Sequence, residues 1–270
     1  MRQKISKWFR SLGGESQPQN WGIALGGGAA RGIAHTGVLQ FLEEKHLKPA
    51  FVTGTSAGAL VGALYAFGKS PKEILDLARE LTWMQVSGFS LSRYGILSNE
   101  ELAELITEQL GEIGFEDAPI PFACIATDIT TGKGLVLDKG PVAEAVRASA
   151  AVPGIYIPVT INERMLVDGG VVENVPISPL KSMGAEFILG VDLNGNDGYE
   201  EPGGVIDILL NAFDIAVDTT TRIQTQAADV LIRMNLASYS RTDSSAAEEL
   251  FEAGYKAAQA QWSELEHLQA

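Results

Sequence analysis

The stretch best suited to chemistry is a serine between two glycines, Gly54-Thr55-Ser56-Ala57-Gly58. It follows a short apolar β-like run, Ala50 to Thr53, and precedes Ala59 to Ala66, whose small and apolar residues read as a buried helix. A serine on a sharp strand-to-helix turn is a nucleophile elbow. Such a turn is strained and its flanks pass close together, and Gly54 and Gly58 permit both. The hydroxyl then stands at a helix N-terminus, where backbone N–H groups and the helix dipole favour developing negative charge. A structural turn whose serine merely caps the helix uses the same residues, so the motif gains meaning only with partners.

A serine hydroxyl is a weak nucleophile and needs a base. The chain has three histidines, His35, His46 and His267. In α/β-hydrolase order the histidine follows the acid, and only His267 could do so, three residues from the C-terminus in a polar helix. His46 lies beside Lys45 and Lys48 and reads as solvated; His35 reads as a packed or hydrogen-bonded structural residue. A Ser-His-Asp triad is therefore hard to assemble. A carboxylate can act as base directly, and the best candidate is Asp168 in Val167-Asp168-Gly169-Gly170, at the end of a β run. Active-site groups in open parallel sheets gather at such ends, although an Asx turn would use the same residues.

Acyl transfer also needs N–H donors for an anionic tetrahedral intermediate. Gly26-Gly27-Gly28 follows the strand-like Trp21 to Leu25 and opens a helix, and Arg31 adds positive charge nearby. The competing reading, a phosphate loop, fails on spacing. The third glycine of G-x-G-x-x-G falls on Arg31, and Gly68-Lys69-Ser70 has Ala63 where the upstream glycine belongs. No His, Cys, Asp and Glu cluster has metal spacing, and no cofactor is expected.

Strand, glycine turn and helix (Ile33 to His46) come first, then a second strand, the serine elbow and a second helix; this β-α-β-α alternation predicts a parallel sheet covered by helices. Ser70 to Glu73 and Ser98 to Glu101 read as capping boxes. Trp83 to Leu97 mixes glycine, serine and aromatic residues and reads as a loop, either a cover or an ordered connection. Further strands are predicted over Pro121 to Asp128, Gly134 to Leu137, Phe187 to Leu193 and Val230 to Met234, with a hairpin of Pro158 to Ile161 and Met165 to Val167. Pro141 to Ala150, Val205 to Ala227 and Ser245 to Leu268 read as helical, the last with Phe251, Tyr255, Ala258, Trp262 and Leu265 on one face.

With 46 % hydrophobic and 20 % charged residues in 270, the chain suits one large α/β domain. Its net charge of −14 argues against a nucleic-acid partner. The single cysteine, Cys124, reads as a small core residue, and a reducing cytosol fits. No apolar run is long enough to span a membrane, and no secretory signal opens the chain. Residues 1–14 carry Arg2, Lys4, Lys7 and Arg10 without an acid, and Ile5, Trp8, Phe9 and Leu12 share one helical face. Residues 1–12 thus read as a basic amphipathic helix able to lie on a membrane surface, the alternatives being a helix packed on the domain or a partner, or a frayed tail. Residues 1–20 are taken as this segment plus a polar linker, and 21–270 as the catalytic domain.

In these residues the chain resembles the patatin-like phospholipase family. The resemblance rests on Gly26 to Gly32, Gly54 to Gly58 and Asp168 to Gly170 in that order, with Ala126-Thr127-Asp128, Thr131-Gly132 and Arg147 to Pro153. It runs from about Trp21 to Asn194, more loosely to Met234, and is similar in wording to small bacterial members of the neuropathy target esterase branch. It implies a three-layer α/β/α fold with a mainly parallel central sheet. It further implies a Ser56–Asp168 dyad without histidine, an oxyanion loop of Gly26, Gly27, Gly28 and Arg31, and hydrolysis of lipid acyl esters through an acyl-enzyme, without metal. Asp128 and Ser149 match family positions taken as structural. The expectation is a cytoplasmic hydrolase, held at the inner membrane face if residues 1–12 bind lipid. The alternatives are an acyltransferase with the same acyl-enzyme and a regulatory protein with a vestigial site.

Overall fold

The computed structural model describes residues 20–80, 88–92, 94–195, 198, 199 and 201–268. The basic helix predicted over residues 1–12, and residues 83–87 and 93 of the predicted loop, lie outside them.

Eight strands form one sheet. Five run parallel in the order β10 (Val230–Arg233), β9 (Phe187–Asp192), β1 (Trp21–Leu25), β2 (Phe51–Gly54) and β5 (Phe122–Asp128). On β5 the direction changes, because β6 (Lys133–Leu137) and β8 (Arg164–Asp168) both pair with it antiparallel, and β7 (Val159–Ile161) closes the edge against β8. The β7–β8 turn falls on Asn162 and Glu163, both at positive φ, as a tight two-residue hairpin requires. This is the mainly parallel sheet expected from the alternation of elements.

Helices cover both faces, and β1 makes the layering visible. Trp21, Ile23 and Leu25 enter the large core beneath α1 (Ala34–Glu44) and α2 (Ala57–Ala66). Ala24 points the other way, into a smaller cluster with Ile177 and Leu180 of α6 (Ile177–Met183). Strands buried on both faces read as continuous apolar runs, which is why β1, β5 and β9 lack polar alternation. The remaining helices are α3 (Pro71–Glu80), α4 (Glu100–Leu110), α5 (Val142–Ser149), α7 (Val205–Gln224), α8 (Ala247–Ala260) and α9 (Trp262–Leu265). None of the described helices is long and apolar enough to cross a membrane.

Three local expectations change. Ser70 and Glu73 do form a reciprocal capping box, with Ser70 N–H on Glu73 at 2.8 Å. At the second box, however, the N-cap position falls on Asn99, and Ser98 Oγ instead accepts the Glu100 N–H at 3.2 Å. The predicted loop contains an antiparallel hairpin, β3 (Gly88–Ser92) with β4 (Gly95–Ser98), tied to the body where Ile157 N–H meets the Leu97 carbonyl at 2.9 Å. The C-terminal helix is interrupted at Gln261, which turns Trp262 onto Phe41 with ring centroids 5.9 Å apart. Its predicted face is otherwise used as expected: Tyr255 also meets Phe41, edge to face at 5.4 Å.

Candidate active site

The sheet itself brings Ser56 and Asp168 together. Gly54 at the end of β2 is level with Cys124 of β5, and Asp168 at the end of β8 is level with Ala126. Because β6 occupies the other edge of β5 across both positions, β2 and β8 share one edge. One strand runs parallel to β5 and the other antiparallel, so their C-terminal ends meet head-on about 7 Å apart. Ser56 follows Gly54 by two residues. Residues 112 apart in sequence thereby become neighbours by topology alone.

The turn at Ser56 is strained: its φ of 54° and ψ of −122° belong to a region that favours glycine. It is held from three sides. Thr55 N–H donates to the Leu25 carbonyl at 3.1 Å, and Gly58 N–H to the Thr55 carbonyl at 2.8 Å. Ser56 N–H donates to Ser149 Oγ at 3.1 Å, whose own hydroxyl donates to the Ile125 carbonyl at 2.6 Å. A methyl group at Gly54 or Gly58 would overlap the carbonyl of Gly58 or Leu25, so the helix could not pass this close to β1 and β2. The Ser56 hydroxyl sits at the N-terminus of α2 and lines one small cavity with the Asp168 carboxylate, close enough to favour its ionised form.

Asp168 is 2 % exposed. Its Oδ1 accepts the Gly170 N–H at 2.7 Å, so the residue that makes the Asx-type turn is also the one that faces the Ser56 cavity. Burial pushes its carboxyl up to about 6, against the Gly170 N–H and the Ser56 hydroxyl, with the nearby Asp214 charge adding to the rise. The backbone is fixed as well: Asp168 N–H meets the Ala151 carbonyl at 2.8 Å, and Thr127 Oγ1 donates to the Asp168 carbonyl at 2.9 Å. Asp128, as expected of a structural residue, caps its own turn by accepting the N–H groups of Thr130 and Thr131.

The histidines lie apart from this pair. His35 is fully buried and donates from Nε2 to the Gly26 carbonyl at 2.7 Å, with no partner on Nδ1. Burial holds it down to about 4, the Gly26 bond opposing, so the ring stays neutral and braces the glycine loop. His46 is exposed and ends its helix at positive φ. The backbone of His267 lies in the C-terminal 3-10 turn.

The glycine loop lies directly on the serine. A Cβ on Gly27 would stand 2.7 Å from Asn174 Oδ1 and 3.1 Å from Ser56 Cβ. The Gly26 N–H is taken by the Val191 carbonyl at 3.0 Å, and the Gly27 N–H by Asn174, through Oδ1 at 3.2 Å and the backbone carbonyl at 3.3 Å. Among the described residues the Gly28 N–H has no protein acceptor. The Arg31 guanidinium, 4 % exposed, is directed at the carbonyls of Tyr239 (2.8 and 2.9 Å) and Ala237 (3.4 Å), tying the loop to the C-terminal segment.

Ser56 opens onto two cavities. One, of about 170 Å³, is apolar and runs between α2, α3 and α4 past Leu60, Leu64, Ile74, Leu77 and Leu102. The other, of about 60 Å³, lies on the Asp168 side and is lined by Asn174, Phe213, Asp214 and Arg241. Sequence reasoning missed these last four. Asn174, six residues after Asp168, was within reach of that motif; the Arg241–Asp214 ion pair spans a loop and a helix with no motif to announce it.

The patatin-like phospholipase family model matches residues 23–181. An NTE family protein of Mycobacterium tuberculosis (strain H37Rv) is 36% identical over 187 residues, covering 68% of this chain and 51% of that protein. The lysophospholipase NTE1 of Mycosarcoma maydis is 34% identical over 184 residues, 65% of this chain and 10% of that one. The chain thus spans about half the length of the mycobacterial relative and a tenth of the fungal one. Among solved structures, VipD from Legionella pneumophila superimposes with a TM-score of 0.56 at 15% identity, covering 92% of this chain and 67% of that one. ExoU of Pseudomonas aeruginosa, solved in complex with SpcU, gives 0.51 at 17% identity, with 94% and 54% covered. At such identities these two structures support the fold alone.

Proposed function

The chain belongs to the patatin-like phospholipase family, and from that premise we propose that it is a serine lipid acyl hydrolase working through a Ser56–Asp168 dyad. The observation that carries this reading is the juxtaposition of the Ser56 hydroxyl and the buried Asp168 carboxylate in one small cavity at the head of α2. Asp168 takes the hydroxyl proton as Ser56 Oγ attacks the ester carbonyl. The Gly28 N–H and the N-terminus of α2 meet the developing oxyanion. Collapse expels the alcohol, protonated by Asp168, and leaves an acyl-enzyme on Ser56. Water, deprotonated by the same carboxylate, then attacks the acyl carbon; the bond to Ser56 Oγ breaks, Asp168 returns the proton to that oxygen, and the fatty acid leaves. The larger cavity holds the acyl chain, and the smaller one, with Asp214 and Arg241 in its lining, the leaving group. The catalytic unit is residues 21–270. Gly26, Gly27 and Arg31 act by shaping the loop, since their donors are engaged elsewhere.

The test is labelling by a fluorophosphonate, with peptide mapping, alongside fatty-acid release from lysophospholipid, diacyl phospholipid and a soluble short-chain ester. The expected result is one adduct on Ser56 and ester turnover. A protein that hydrolyses none of these substrates and takes no label would defeat the proposal in favour of a vestigial site. Asn174 provides a second check. Asn174→Ala removes the side-chain acceptor of the buried Gly27 N–H and leaves the backbone carbonyl of residue 174 in place, a loss of about 0.5–1.5 kcal/mol. Part of that is expected as a fall in kcat of roughly 2- to 10-fold, with KM for a soluble ester little changed. Unaltered kcat in a folded variant would separate loop position from catalysis.

A further inference from the structure

Helix α7 is amphipathic the wrong way round for a protein surrounded by water. Its inward face carries Asn211, Asp218 and Thr221, each at most 9 % exposed, together with Asp214 on Arg241. Its outward face carries Val205, Ile208, Leu209, Ala212, Ile215 and Ala216, at i, i+3, i+4, i+7, i+10 and i+11, and resumes at Ile223 beyond the exposed Thr219. Val205 is 73 % exposed, Ile223 68 %, Ile208 54 %, and Leu209 and Ile215 nearly half. The exposed charges of the helix, Asp207 and Arg222, stand near its two ends; those between are turned inward, Asp218 to the Tyr199 hydroxyl at 2.7 Å.

The same helix walls the catalytic cavity through Leu210, Phe213 and Val217. The turn after Asp168 is joined to it where Gln224 Nε2 donates to the Val172 carbonyl at 2.6 Å, and that turn exposes Val171 at 39 %. The helix that carries the apolar stripe is thus also a wall of the site. A surface helix normally turns its apolar face to the core, so the reversal here calls for an apolar medium outside.

We infer that the outward face of α7 docks on a lipid surface, setting the mouth of the Ser56 cavity against the membrane. Area argues against a second copy as the occupant. A stripe on a 20-residue helix is about 30 Å by 10 Å, or roughly 300 Å², well short of the ~800 Å² per partner of a stable dimer. The absence of charge along the stripe, on a chain of net charge −14, selects a zwitterionic surface held by apolar burial over an anionic one held by salt-sensitive attraction. The choice of lipid as occupant rests on the hydrolase reading above.

The test is co-sedimentation of the full chain with phosphatidylcholine vesicles at 0.1 and 0.5 M salt, for wild type and the double variant Leu209→Glu, Ile215→Asp. Wild type is expected to pellet at both salt concentrations, and the variant to partition at least ~10-fold more weakly. Both are expected to hydrolyse a soluble short-chain ester with equal kcat/KM, which also reports that the variant is folded. Equal partitioning of the two proteins, or wild-type binding lost at high salt, overturns the inference. So does a wild-type dimer at micromolar concentration, by light scattering, that the same substitutions abolish. Docking is read without turnover: Ser56→Ala that still pellets while no ester is hydrolysed by wild type would sink the hydrolase reading and leave the docking face standing.

Discussion

Ser56→Ala is expected to lose ester hydrolysis by ~10⁴-fold or more in kcat, because the acyl-enzyme cannot form without its oxygen. Fluorophosphonate labelling should disappear with it. The cavities and the glycine loop are left intact by the change, so binding of a substrate analogue should persist, and the loss should lie in kcat more than in KM. Ser56→Gly should be equally inactive and yet more stable than Ser56→Ala. The alanine keeps a side chain at φ 54°, whereas glycine adopts that conformation freely. Residues forced into such regions cost of order 1–3 kcal/mol, so a difference of about 1 kcal/mol is expected in urea unfolding. Equal stabilities would mean that the turn is not strained; retained turnover in either variant would move the nucleophile elsewhere.

The elbow was legible because its determinants are local: a β run, a glycine, a serine and a helix of small residues lie within sixteen positions, 51–66. Asp168 was legible for the same reason, at the end of one hairpin strand. What the sequence could not give was their meeting, which depends on β2 and β8 sharing an edge of β5. The division of labour within the glycine loop was hidden too. Three glycines in a row look alike, and only the acceptors supplied by Val191 and Asn174, far along the chain, distinguish Gly28 from its neighbours. Arg31 was read as charge near the site, but the Tyr239 and Ala237 carbonyls hold its guanidinium. Helix α7 was read correctly as a helix. Its face could not be oriented, because periodicity locates an apolar stripe and the usual inference that the stripe is buried fails here.

His35→Gln tests the dyad from the other side. His35 braces Gly26 from the core, so the variant is expected to be less stable and partly active, never as inactive as Ser56→Ala. A folded but dead His35→Gln would make that imidazole the base.

Asp168→Asn is expected to combine near-complete loss of activity with a gain in stability, and pH separates the two effects. As the base, Asp168 must be deprotonated, so kcat/KM of wild type for a soluble ester should rise through an apparent pKa of about 6 and level off above it. The asparagine variant should fall ~10⁴-fold, and Ser56→Ala added to it should do little more, because the two residues act as a unit. The stability effect follows from the carboxyl standing at about 6 in the folded chain against 3.8 ordinarily. Between those values the folded state keeps a proton that the unfolded chain has lost. Its stabilising contribution is complete below about pH 4 and disappears as the pH climbs through 6. Wild type therefore carries a buried charge at pH 8 that Asp168→Asn lacks. The gap of roughly two pH units corresponds to about 2–3 kcal/mol. Urea unfolding of both proteins should show the variant gaining by about that amount at pH 8 relative to its position at pH 4. A difference between the two proteins that stays constant with pH would mean that Asp168 is ionised as easily inside the fold as outside it. In that case the rise of kcat/KM with pH would belong to another group.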